Sequence, residues 1–403
     1  MAAERQSPAA ATPEAELVYA CSRPRIDAGR TERVRAAAAR VRNWPWVVRA
    51  AGAHAVLPAL HRQLAAAACA PDEVLRETES LARGIAFRNI ALAQALVDVL
   101  RRLDAARMSA MVVKGPALAI TAYGDLAFRQ FGDLDIIVPR ARVAAAIDAL
   151  SDDGWLRGAP LAAGQEAALL DADYHSVLVS ERAQCALEIH WALERPHAGA
   201  SFDAEWCRER AMRFHLGGRT AETLTPEASL IYLCAHGAKH LWCQLRWVCD
   251  VAEVIASATI PWDSVMSTAR AAHMERILSL GLRLAHDLCD AAVPAPVLAT
   301  LRVDDTVREL EAEARARIAV ATGLPTTAET ATIVRYQWRA RDRARDRLRL
   351  AADLLFSPQL TDVEVVPLPT AMRAAYYVLR PARLAGKYAR RLSAKRDPRE
   401  SPS

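Results

Sequence analysis

The chain has 403 residues, 52% hydrophobic and 25% charged, with a formal net charge of +5, which is an ordinary globular composition with length for two or three domains. No stretch approaches eighteen uncharged apolar residues and the first residues carry no apolar signal core, so neither a membrane span nor a secretion signal is expected. The eight cysteines form no Cys-x-x-Cys pair, which argues against zinc and a disulfide framework and fits a cytoplasmic protein with reduced cysteines.

Residues 1–30 are rich in Ala, Pro and charge without periodicity and read as a disordered lead. Residues 31–108 read as an N-terminal helical region, ending in the longest helical pattern of the chain, "PDEVLRETESLARGIAFRNIALAQALVDVLRRLDAAR". An α/β core over 109–222 follows. "MVV" reads as a short strand, "KG" as a tight turn, and "PALAITAY" as a helix with proline in its first turn. Gly115 lets the backbone approach a ligand closely, free N–H groups at a helix start attract phosphate, and Lys114 adds positive charge. In "FGDLDIIVP", Asp133 and Asp135 stand two apart at a strand start, so they share a face. Like charges that close raise a pKa or demand a cation, and hard carboxylate oxygens suit Mg²⁺.

The order "VVKGPAL", Tyr123, Arg129, "DLDIIV" resembles the uncharacterised nucleotidyltransferase family of the polymerase-beta-like superfamily. The resemblance implies a turn that holds a triphosphate, two strand carboxylates, and a third on a neighbouring strand, together binding Mg²⁺. The usual Gly-Ser turn is here Lys114-Gly115, so phosphate contact would rest on backbone N–H groups, Lys114 and Arg129.

Downstream, "YHSVLVS" and "QCALEIHW" read as a hairpin. Glu188 matches the family's third carboxylate, and His190, on the same face, reads as a satisfied structural histidine. A helical domain over 223–355 opens at Thr225-Pro226-Glu227. Its segment "HGAKHLWCQLRWVCD" places His236, His240, Cys243, Trp247 and Asp250 on one stripe if it is a single helix, with Lys239 and Arg246 beside it. The family carries a similar helix, which makes Lys239, His240 and Arg246 candidates for substrate binding. The alternative is an interdomain network of ion pairs and stacking. The extension 356–403 is basic: Arg373 to Arg399 holds nine Lys and Arg against one Asp.

The expected fold is therefore α+β, a small mixed sheet of the nucleotidyltransferase type flanked by N-terminal and C-terminal helical regions. The expected activity is Mg²⁺-dependent transfer from an NTP, with ATP the first candidate, to an unidentified acceptor. Asp133, Asp135 and Glu188 would be the catalytic and metal-binding carboxylates. Two alternatives stand beside it: a degenerate protein that binds a nucleotide or partner without turnover, and an adaptor whose basic C-terminus meets nucleic acid or a membrane surface.

Overall fold

The computed structural model describes residues 12–158, 160–195, 202–320 and 330–396, with side chains through residue 386. Residues 1–11 of the expected lead and the tail beyond 396 lie outside the described residues. From residue 12 on, the lead is a correction to the sequence reading. Thr12 caps a helix over Pro13–Ala20, and Leu17 and Val18 are buried in the main core. The Ala/Pro-rich composition concealed a short apolar run, "LVYAC", that is long enough to bury one face.

Six strands form one mixed sheet: β1 (Met111–Val113), β2 (Asp133–Ile137), β3 (His175–Ser180), β4 (Cys185–His190), β5 (Ala211–Leu216) and β6 (Arg219–Leu224), in the order β3-β4-β2-β1-β6-β5. β2 runs antiparallel to β1 and parallel to β4, while β6 runs parallel to β1. Strand alternation divides the side chains between two cores. Val112, Leu134, Ile136, Leu187 and Ile189 pack with the C-terminal half of the long helix Asp72–Ala105 and with the helix Val143–Ser151. The opposite face contributes Met111, Val113 and Ile137 to a larger core built on the helices Pro226–Lys239, Leu245–Ser257 and Glu275–Cys289. The polar residues of β2 and β4 point to this second side, so the sheet presents its carboxylates to the helical domain.

The C-terminal helices Thr330–Ala340, Ala344–Phe356 and Tyr376–Arg396 complete the fold. Three of their arginines are paired within the chain: Arg339 meets Glu309 and Glu313, and Arg380 and Arg383 share the buried Asp362. Among the described residues no helix is long and apolar enough to cross a membrane.

Candidate active site

In the parallel pair β2–β4, Asp135 lies directly opposite Glu188, and residues so paired share a face. His190, two residues on, places its Nε2 3.1 Å from Asp135 Oδ1 and 3.1 Å from Glu188 Oε2. Lys114 Nζ reaches the same Asp135 oxygen at 2.9 Å. Burial pushes the Asp135 carboxyl up, but Lys114 and His190 more than reverse this and hold it well below the usual carboxylate range. The same balance raises Lys114 well above an ordinary lysine and raises His190. Glu188 is lowered: burial opposes its charge, and the hydrogen bond from His190 outweighs it. Asp133 occupies the same face, half-buried, and no hydrogen bond or ion pair to another described residue engages its carboxylate.

Lys114 ends β1 at φ 52°, ψ −142°, and Gly115 follows at φ +41°. Glycine tolerates such angles, but a lysine holds them at a cost on the order of 1–3 kcal/mol, a kind of strain that clusters at functional sites. Here the strained backbone is what turns the ammonium back onto Asp135.

The helical wall departs from the expected stripe. The helix Pro226–Lys239 stops, Leu241 and Trp242 take left-handed φ values of 57° and 52°, and a second helix starts at Leu245. His236 and Asp250 therefore belong to different helices. The break is fixed by Trp242, fully buried, whose ring lies where a Cβ on Gly237 would meet it at 2.4 Å. Glycine is at 237 because the ring needs that space. The second helix has no side-chain cap of its own. Buried His54 supplies one, accepting from Leu245 N at Nδ1 over 3.3 Å while Nε2 contacts Ile318 O at 2.9 Å. Burial depresses His54 to about 4, which keeps the neutral form that this cap requires.

The break carries three expected residues to the carboxylate side of the sheet. His240 stacks on Trp247 at 4.9 Å and is held neutral, at about 3, by burial and by the neighbouring Lys239 and Lys114. Lys239 donates to the Tyr174 hydroxyl, and Arg246 donates to Gln130 O at 2.9 Å and to Gln244 at 3.2 Å. Among the described residues neither cation has a carboxylate partner within 4.0 Å, an unusual state for charge so enclosed. Arg246 is lowered by burial and by the nearby Arg129.

Arg129 differs from the expected phosphate contact. It forms a bidentate pair with Asp250 at 2.8 Å and 2.8 Å, both side chains buried, and Tyr123 joins the same carboxylate at 2.8 Å. All of Asp250 is thereby used in joining the sheet domain to the helical wall, and Arg129 has structural work. The sequence pattern showed Tyr123, Arg129 and Asp250, but gave no sign that they meet.

A divalent cation is the test of the carboxylates. One ligand atom each from Asp135, Glu188 and His190 lies within 4.8 Å of the others. Asp135 Oδ2 is buried without a hydrogen-bond partner, so a lone pair is left for a further ligand. Because His190 Nε2 is turned onto both acids, it orients them, and the free donors are carboxylate oxygens, the set that suits Mg²⁺. The residues fit such an ion. Residues 40–290 match the family model described as uncharacterised nucleotidyltransferase. No curated protein matches the chain.

Proposed function

The chain belongs to the uncharacterised nucleotidyltransferase family, and from that premise we propose that it moves a nucleotidyl group from an NTP, ATP first among candidates, to an acceptor hydroxyl or phosphate. The observation that carries the reading is Asp135 and Glu188 in register on neighbouring strands, with an unpartnered Asp135 oxygen. Asp133, Asp135 and Glu188 would hold Mg²⁺, which when bound neutralises the triphosphate and polarises the α-phosphorus. Lys114, the main-chain N–H groups at Gly115, and Arg246 bind the phosphates. Glu188, 26% exposed against 1% for Asp135, takes the acceptor proton, and His190 keeps its carboxylate aimed. His240, neutral against Trp247, lines the approach.

A second reading is favoured by one contact. The Lys114 ammonium already neutralises Asp135, as suits a protein that binds nucleotide without turnover. Incubation with α-labelled NTPs, Mg²⁺ and a metabolite extract separates the two. Transfer of label with pyrophosphate release, lost in Asp133→Asn, supports the enzyme; retained nucleotide binding with no labelled product supports the binder.

A further inference from the structure

A cavity of about 230 Å³ lies between the start of β3, the end of the Pro226–Lys239 helix and the C-terminal helices. None of the cluster's carboxylates lines it, and the two meet through one ring stack. The ring of His175, on its wall, stacks on His190 at 5.3 Å, and His190 touches both acids. Lys239 projects into the same wall, its amino group 4.8 Å above the Tyr174 ring and bonded to the Tyr174 hydroxyl, with two N–H donors to spare. Arg341 brings a second cation to the lining. Glu194 also lines the space, near enough for its charge to act on both Lys239 and Arg341, and its Oε1 is buried with no hydrogen-bond partner. Leu354 and Ile277 supply apolar wall, and the Arg195–Asp353 pair at 3.4 Å lies at the lining.

We infer that this cavity seats the acceptor, and that the acceptor is a small hydroxyl-bearing anion, a phosphate or carboxylate metabolite, with its anionic group on Lys239 and Arg341. The inference rests on the transfer reading above. The size decides against a polymer, since pockets for drug-sized ligands run to roughly 300–1,000 Å³ and a nucleic-acid strand needs an open, cationic groove. The charges point to the class: Lys239 has no carboxylate within 4.0 Å among the described residues, so a ligand anion can take its ammonium beside Arg341, and Glu194, whose charge both cations feel, accepts from a ligand hydroxyl. In the transfer, an acceptor oxygen attacks the α-phosphorus, its proton passes to Glu188, the bond from the α-phosphorus to the bridging oxygen breaks, and pyrophosphate leaves.

The test is calorimetric titration of glycerol 3-phosphate and of glycerate, with glycerol as neutral control, into wild type, Lys239→Met and Leu354→Trp. A non-hydrolysable ATP analogue with Mg²⁺ is titrated separately. Wild type binds at least one of the two anions and not glycerol, and the stronger of the two names the anionic group. Lys239→Met, by charge, and Leu354→Trp, by filling the space, each weaken anion binding by roughly ten-fold or more, about 1.4 kcal/mol, while Leu354→Trp leaves the ATP analogue unaffected. Circular dichroism checks both folds, and Lys239→Met carries the test if Leu354→Trp does not fold. Wild type that binds neither anion at millimolar concentration, or anion binding undiminished in the folded variants, overturns the inference even if the nucleotide binds. Anion binding as expected without any nucleotide binding strikes the transfer reading and leaves the cavity.

Discussion

Gly237→Ala tests the geometry that places the helical wall. A Cβ there would lie 2.4 Å from Trp242 Cζ3 and 2.5 Å from Cε3 and Cη2, distances no pair of carbon atoms sustains. The ring has little room to retreat, because it is fully buried and packs so closely on Gly281 that a Cβ there too would come within 3.1 Å of it. The ring must therefore leave its seat. Losing a buried tryptophan costs about 3–5 kcal/mol, against which alanine returns at most about 1 kcal/mol of helix propensity. A net loss of about 2–4 kcal/mol is expected, read as a lower urea midpoint at unchanged slope. Because the turn carries His240 and leads into Arg246, affinity for a non-hydrolysable NTP falls with it. Gly84→Ala, in the long helix with nothing within 4 Å of the new Cβ, is the control and should gain up to about 1 kcal/mol. Gly237→Ala as stable as wild type would refute the packing argument.

Arg129→Met should destabilise by about 3–5 kcal/mol by stranding the buried Asp250 charge, and Arg129→Met/Asp250→Leu should recover much of it, as measured by urea unfolding. Arg246→Met should keep the fold by circular dichroism yet weaken NTP-analogue binding by about 1–3 kcal/mol, the scale of a charge-assisted hydrogen bond; unchanged affinity would make Arg246 scaffolding. His54, about 4 in the folded state against 6.5 in the unfolded chain, contributes nothing above 6.5, where both states are neutral. As pH falls from 6.5 towards 4 the unfolded chain takes up a proton that the folded one refuses, so stability drops by on the order of 3 kcal/mol. Urea unfolding across that range should show a shallower pH slope in His54→Gln than in wild type, and equal slopes would contradict the assignment.

What the sequence made legible was local. The Asp133–Leu134–Asp135 alternation sets its own faces, and the hairpin carrying Glu188 follows from β-branched and apolar runs around a short turn. The β5–β6 hairpin was missed although Gly217-Gly218, both at positive φ, mark its two-residue turn. What stayed hidden depends on contacts distant in sequence. His54 caps a helix 191 residues away, and Arg129 finds Asp250 over 121. The break after Lys239 is hidden for the same reason: helical spacing continues through it, and only the volume of Trp242 in its glycine cradle ends the helix. His190 is only half satisfied, Nε2 on the two carboxylates and Nδ1 buried without a hydrogen-bond partner, and that its partners are those carboxylates needed the register of three strands.

The central claim is that Asp133, Asp135 and Glu188 form one nucleotide-dependent divalent cation site. Mn²⁺, as a paramagnetic stand-in for Mg²⁺, can be titrated into the protein with a non-hydrolysable NTP and the bound fraction read by electron paramagnetic resonance. The account predicts tight, nucleotide-dependent Mn²⁺ binding in wild type, and its loss in Glu188→Gln with the fold retained. Mn²⁺ binding equally tight in Glu188→Gln, or absent from wild type saturated with nucleotide, would contradict it.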